Sequence, residues 1–276
     1  MSVRVEIQIG RVEIVATARE DVSVDVSPSN PNRSGDRGAA EAVSVNRAGD
    51  TVIVKGPHKL NLFGRGDSVD VLVEVPEGTD VVAVVKHGSA RLAGDLGAVR
   101  AEVPYGEFTL EHAERLELKG GHGEYRATHV TGDAEVVFKS GSARVGRVDG
   151  TLRLTGSDGI ITVDRVDGPA ELATSSGGID LGTALSGATV RAAYGMVRIR
   201  DAVRGTVQVD SSYGTVDVGV RHGTAVWLDA TSEHGIVRTD LAADSGPSAG
   251  EATLELRIRA GYASINVHRS EASVTS

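Results

Sequence analysis

Six ring-bearing side chains each stand directly before a glycine, and these glycines recur at a nearly constant spacing. The six side chains are His87, Tyr105, His122, Tyr194, Tyr213 and His234. If each spacing is one turn of a stack of strands, neighbouring rings lie about 4.8 Å apart and form ladders. Such ladders could bind sugar rings or bases, or they could pack only on one another. We take these six residues as the candidate surface-binding residues of the chain.

The same spacing bears on two other kinds of chemistry, zinc binding and glycoside hydrolysis. His87 and His122 lie two turns apart, or roughly 10 Å, whereas zinc needs ligand atoms about 2.0 to 2.1 Å from the metal. Asp164 and Asp167 form a carboxylate pair that could suggest a glycosidase. The segments between Gly88 and Gly214 are too short to build the loops of a cleft. We therefore predict no metal, no cofactor and no catalytic residue.

A repeat positions these residues. Residues 135–188 can be written as three lines of eighteen that fall into register: EVVFKSGSARVGRVDGTL, RLTGSDGIITVDRVDGPA and ELATSSGGIDLGTALSGA. Each line holds an anchor glycine, and apolar or small residues stand two and four places after it. The anchor glycines are Gly88, Gly106, Gly123, Gly141, Gly159, Gly177, Gly195, Gly214, Gly235 and Gly261. A fixed period of this length is typical of a solenoid, with positive φ at the anchors.

The fold class follows from the length of the unit. Eighteen residues are too few for a βαβ unit, and alternating apolar residues indicate short parallel strands. We predict an all-β, single-domain parallel β-helix (β-solenoid) with coils of about 18 residues. Parallel crossovers are usually right-handed, which favours a right-handed helix. N-terminal strands and capping loops would occupy residues 1–80, regular coils residues 81–267, and a tail residues 268–276.

The N-terminal part predicts two loops between strands. Residues 27–40 are rich in proline, serine and glycine, which indicates an exposed loop. Residues 42–54 indicate two strands around a turn, and residues 68–75 indicate another strand. Between these strands, residues 56–67 form either a flap over the first coils or an apolar contact surface.

Composition and charge exclude several classes of protein. The 276-residue chain has no cysteine, so it has no disulfide framework and no thiolate nucleophile. Its formal charge of −9 opposes nucleic-acid binding. The first ten residues alternate apolar and polar side chains, unlike a signal peptide or a membrane span. We expect a cytoplasmic protein without nucleic-acid partners.

Three segments carry a resemblance to a known family. They are DSVDVLVEVPEGT (67–79), AVWLDATSEHGIVRTDL (225–241) and LELRIRAGYASINVHRS (254–270). Together with the repeated pattern of strand, polar residue and glycine, they resemble the bacterial, actinobacterial-type putative-adhesin β-strand-repeat family, a domain of unknown function. The resemblance covers nearly the whole chain. It implies a β-solenoid and no agreed catalytic residues.

These observations predict a non-enzymatic β-solenoid scaffold or an adhesin-like binding or self-assembling protein. The alternative is a carbohydrate-binding or carbohydrate-active β-helix protein that uses the ladders or Asp164. The expected partner is another protein or a second copy of the chain, bound through an end or a face of the solenoid. A stack of strands has an unpaired edge at each end. We expect residues 254–267 to form the open edge, giving a homodimer.

Overall fold

The computed structural model describes residues 1–57, 66–242 and 250–270. The chain divides into two compact units, Met1–Phe138 and Lys139–Ser276. Both are built almost entirely from parallel strands in solenoid-like order, as the repeat predicts. Among the described residues the one helix has eight residues, and no helix of the described part is long and apolar enough to cross a membrane. The predicted domain limits and the handedness of the coils stay predictions.

The first unit contains one very long strand that bends through several rungs. Its elements are β1 (Ser2–Thr17), β2 (Ser23–Pro28), α1 (Ser34–Glu41), β3 (Ser44–Ala48), β4 (Thr51–Lys55), β5 (Val69–Pro76) and β6 (Asp80–Val130), and β7 (Ala134–Val148) begins here and continues into the second unit. The predicted strands over residues 42–54 and 68–75 are confirmed as β3, β4 and β5.

The N-terminal strand lies inside the first unit. β1 pairs with β6 along one side, while its first half pairs with β4 and its second half with β5 along the other. β2 and β3 then run antiparallel to β5 and β4 on the outer side. The antiparallel strands cover the outer sides of β5 and β4, so β2 and β3 become the outermost strands of the first unit.

The predicted loop over residues 27–40 is wrong in part, because α1 begins at Ser34. The carboxylate of Asp36 is buried and accepts hydrogen bonds from the backbone N–H groups of Asn30 and Ser68, at 3.1 and 3.2 Å. Arg33 approaches the same carboxylate at 3.2 Å. This buried cluster holds the segment in one conformation, which its loop-like composition conceals.

The second unit has regular rungs for most of its length. Its elements are the rest of β7, then β8 (Leu152–Val166), β9 (Ala170–Ser176), β10 (Ile179–Ala184), β11 (Ala188–Ala202), β12 (Gly205–Val220), β13 (Thr224–Ser232), β14 (Val237–Thr239) and β15 (Ala252–Arg269). Ile161 pairs with Ile179, which pairs with Val197, so these rungs are 18 residues apart as predicted. Ile161 and Ile179 are both fully buried.

β15, the last strand in the sequence, is not the outermost strand of the second unit. β15 pairs with β12 on one side and with β13 and β14 on the other. The prediction that residues 254–267 form the open edge is therefore wrong. The predicted anchor at Gly261 is wrong as well, because Ala263 pairs with Gly214. The chain passes outward through β13 and β14 and returns through β15 into the gap.

The anchor glycines stack on one another. Gly141 and Gly159 have φ of +119° and +150°, as predicted. A Cβ atom on Gly159 would lie 2.0 Å from the carbonyl oxygen of Gly141. Gly159 is needed for two reasons, since both its backbone conformation and the approach of the Gly141 carbonyl exclude a side chain.

Tyr125 is a large side chain that points inward in the first unit, where it is 2% exposed. Its hydroxyl accepts a hydrogen bond of 2.8 Å from the backbone N–H of Gly121 and donates one of 3.1 Å to the carbonyl of Val103. Burial raises the pKa of this phenol. Its polar tip is therefore satisfied inside an apolar core.

Two sequence predictions lie partly outside the described residues. The flap or contact surface over residues 56–67 includes residues 58–65, and the tail over residues 268–276 includes residues 271–276. Both stay predictions.

Candidate functional site

The first ladder is formed by three of the six candidate residues. His87 and Tyr105 stack with ring centroids 4.9 Å apart and planes 9° apart. Tyr105 and His122 stack at 5.4 Å and 12°. Tyr105 separates the two imidazoles, so His87 and His122 do not meet. Among the described residues no group of three or more His, Asp or Glu side chains could hold a metal ion.

The second ladder contains the other three candidates and a fourth ring. Tyr194 and Tyr213 stack at 5.0 Å and 6°, and Tyr213 and Tyr262 stack at 5.2 Å and 5°. His234 stacks on Tyr262 at 4.2 Å. The repeat places His234 directly after Tyr213 in the ladder, and this order is wrong, because the return of β15 inserts Tyr262 between them. The sequence signal was the tyrosine itself, which precedes Ala263, the residue that pairs with the anchor Gly214.

The stacking limits what the rings can bind. In a ladder of nearly parallel rings each inner face is covered by the next ring. The edges and hydroxyl groups of Tyr194, Tyr213 and Tyr262 remain accessible, since these side chains are 58%, 42% and 56% exposed. The ladder therefore presents a row of phenol hydroxyls and ring edges instead of a flat platform.

A groove of about 830 Å³ runs beside this ladder in the second unit. Small residues of several rungs form its floor, and Tyr213 and Tyr262 line one side. Arg191, Asp210 and Arg259 line it as well. The hydroxyl oxygen of Ser211, on the inward face of β12, is buried, and it is the one such side-chain atom of the described residues that lacks a hydrogen-bond partner.

The charged residues of the groove are paired to different degrees. Arg259 donates a hydrogen bond of 2.9 Å to Asp229, which raises the pKa of Arg259 and lowers the pKa of Asp229. Arg191 makes only long contacts, 3.6 Å to Glu171 and 3.9 Å to Asp210, and its side chain is 57% exposed. The guanidinium of Arg191 therefore keeps donors available to a ligand.

The carboxylates considered for glycoside hydrolysis lie among arginines. Asp164 lies 3.3 Å from Arg144, and Asp167 accepts hydrogen bonds from Arg147 and Arg165 at 2.8 and 2.6 Å. Neither carboxylate lines the groove. Both carboxylates are therefore engaged with arginine side chains outside the groove.

The outermost strands of the second unit form another exposed surface, which we call the open edge (β13 and β14). Within the described residues these strands pair only with β15. Trp227, Ile236 and Val237 are 55%, 57% and 41% exposed there. Arg257 lies 5.8 Å from the Trp227 ring centroid. A cavity of about 760 Å³ lies beside Trp227 and Leu228.

Comparison with known proteins assigns the chain to a family. The family model described as Toastrack DUF4097 matches residues 2–275. The chain belongs to the Toastrack DUF4097 family. No curated protein matches it. Among solved structures, the chain is similar to one described as a "putative cell adhesion protein from Clostridium sporogenes ATCC 15579", at 10% identity and a TM-score of 0.24, covering 97% of this chain and 92% of that one.

The assignment agrees with the resemblance to a bacterial β-strand-repeat domain of unknown function and with the solenoid-like β fold, whereas the actinobacterial type stays a prediction. Toastrack DUF4097 is a domain of unknown function, so membership names no catalytic residue. The role of the chain must therefore be argued from its own surfaces.

Proposed function

We propose that this chain is a non-enzymatic, adhesin-like binding scaffold that associates with a second copy of itself through the open edge. The observation that carries the proposal is the exposed apolar surface on the outermost strands of the second unit, where Trp227, Ile236 and Val237 are 55%, 57% and 41% exposed. In the first unit the outermost strands are the antiparallel β2 and β3, whose sequences are more polar. In the second unit, no described strand covers the outer side of β13.

An uncovered strand edge favours pairing with another chain. It presents unpaired N–H and C=O groups, and natural proteins usually block such edges with charges, proline or a cover. Here the edge carries the exposed apolar side chains of Ile236 and Val237. A second copy offers an identical edge, and two identical edges can pair about a two-fold axis.

The charges near the open edge permit this approach. Asp229 is bound by Arg259, and Glu255 accepts a hydrogen bond of 3.0 Å from Arg257. Carboxylates neutralised in this way repel a second copy less than free ones would. The formal net charge of −9 opposes growth beyond a small assembly.

Light scattering after size-exclusion chromatography tests the proposal over a range of protein concentrations. We expect a dimer at high micromolar concentration, and we expect Ile236→Lys and Val237→Lys to give monomers because they place charges on the open edge. Leu72→Lys, at a side chain 39% exposed in the first unit, is the matched control and should leave the dimer intact. A full-length monomer at these concentrations, or equal loss of the dimer with Leu72→Lys, would contradict the proposal.

A second candidate function is carbohydrate binding without hydrolysis, and the groove beside the second ladder favours it.

The cytoplasmic location and the absence of nucleic-acid partners stay predictions from the sequence.

A further inference from the structure

Three neighbouring rungs of the second unit repeat one four-residue pattern: charged, small, small, tyrosine. The three segments are Arg191-Ala192-Ala193-Tyr194, Asp210-Ser211-Ser212-Tyr213 and Arg259-Ala260-Gly261-Tyr262. Strand pairing places them in register, so that each type of residue stacks on its own type. All of these residues except Tyr194 line the groove, and we call Arg191, Asp210 and Arg259 its charged wall.

The charged wall alternates in sign along the groove. Arg191 is followed on the next rung by Asp210, and Asp210 by Arg259. A polyanion would meet Asp210 in the middle of the site, and a polycation would meet an arginine on each side. Alternating donors and acceptors instead suit an uncharged ligand that carries many hydroxyl groups, because a hydroxyl both donates and accepts.

The repeat distance selects among chain-like ligands. The two tyrosine rings that line the groove, Tyr213 and Tyr262, lie 5.2 Å apart, and the Tyr194 ring continues the ladder at 5.0 Å beyond the lining. In an extended peptide, side chains on one face recur every two residues, or about 6.6 to 6.8 Å, so a peptide would lose register with the rungs. An extended chain of β-linked pyranose rings advances by nearly one rung per ring, which keeps its hydroxyl groups opposite successive tyrosines.

We propose that this groove binds a neutral, linear chain of β-linked pyranose rings. The hydroxyls of Tyr213 and Tyr262 and the charged groups of Arg191 and Asp210 hydrogen-bond to the hydroxyls of successive rings. The inference rests on carbohydrate binding as the second candidate function, and it requires no dimer. Testing it on the monomeric Ile236→Lys variant separates its failure from failure of the self-association proposal.

Isothermal titration with cellohexaose and chitohexaose tests the groove, with dextran sulfate and an extended hexapeptide as competing ligands. We expect at least one of the two oligosaccharides to bind. Tyr213→Ala and Asp210→Ala should each weaken that binding at least tenfold, and Ser212→Trp should abolish it by filling the groove. Tyr105→Ala is the matched control, since it removes a similarly exposed ring from the middle of the first ladder, and it should leave the affinity unchanged.

Three results would overturn the inference. They are no binding of either oligosaccharide at millimolar concentration, tighter binding of dextran sulfate or the peptide, and equal loss of affinity in Tyr105→Ala. Far-ultraviolet circular dichroism and thermal unfolding of each variant establish that it is folded. Ser212→Trp keeps the test decisive if Tyr213→Ala does not fold, because Ser212 is exposed and its replacement removes no ring of the ladder.

Discussion

Single residues of this fold alternate between positions that exclude almost any change and positions that accept most changes. Ile161 is fully buried, whereas its neighbour Thr162 is half-buried on the outer face. The two differ only by the alternation of a strand, in which successive side chains point to opposite faces. The inward direction is predictable from the repeat because the apolar column recurs in each rung.

Replacing Ile161 by Asp should therefore unfold the coils around it. A buried, unpaired carboxylate costs several kcal/mol, a large part of the usual total stability of about 5 to 15 kcal/mol. Thr162→Asp, one residue away, should cost less than about 1 kcal/mol. Urea unfolding midpoints of the two variants check this, and equal shifts would show that the assignment of the inner and outer faces is wrong.

The first and last strands in the sequence both lie between other strands and not at the outside of the sheet. β1 lies between β6 and the pair β4 and β5, and β15 lies between β12 and the pair β13 and β14. Each terminal strand thus has neighbours on both sides, which satisfies its backbone groups and limits fraying.

His268 lies near the end of β15 and responds to this placement. Its Nδ1 lies 2.8 Å from the carbonyl of Arg269, and its Nε2 lies 3.5 Å from Asp217 of β12. The Arg269 carbonyl first, and then Asp217 and Asp240, raise the pKa of His268 against the opposing effect of burial. The protonated imidazole therefore links β15 to β12.

Because the folded pKa is raised, this stabilisation is fully present below the ordinary histidine pKa of about 6.5 and is lost as the pH rises through the folded value. Replacing His268 by Gln should flatten the decrease in unfolding free energy between about pH 6 and pH 8. His222→Gln, in an exposed turn, is the control and should retain the decrease. Denaturant unfolding at several pH values measures both, and an unchanged slope in His268→Gln would exclude this role.

The repeat predicts the rungs of both units but not the order of strands at their ends. From Gly88 to Gly123 in the first unit and from Gly141 to Gly214 in the second, each anchor glycine lies against the anchor of the neighbouring rung, and local spacing is sufficient. After Val220 the next strand in the sequence, β13, pairs with β15 instead of β12. Stacking order there depends on which strands can return into a gap, and spacing does not encode that choice. Helix α1 was missed because its stability depends on the buried Asp36.

The same limit applies to the candidate site. The column before the anchor glycines predicts five rings of the two ladders in their correct neighbourhood, whereas Tyr262 and the position of His234 depend on the return of β15. The repeated charged-small-small-tyrosine pattern is visible in the sequence. That the three segments line one groove follows only from the strand register, which brings Asp210 between Arg191 and Arg259.

On the scale of the whole molecule, the described residues place the larger exposed apolar surface on the outermost strands of the second unit. The first unit has β2, β3 and α1 at its outer strands, and the second has β13 and β14 with exposed Trp227, Ile236 and Val237. Two copies that pair through β13 and β14 about a two-fold axis cover this surface on both copies, so the assembly should stop at a dimer.

Amide hydrogen exchange measured at low and high protein concentration tests this account most directly, because it locates the contact as well as detecting it. Self-association should slow exchange over β13 and β14, residues 224–239, at high concentration, while β3, residues 44–48, should exchange at the same rate at both concentrations. Exchange in β13 and β14 that does not depend on concentration, or new protection confined to β2 and β3, would contradict it.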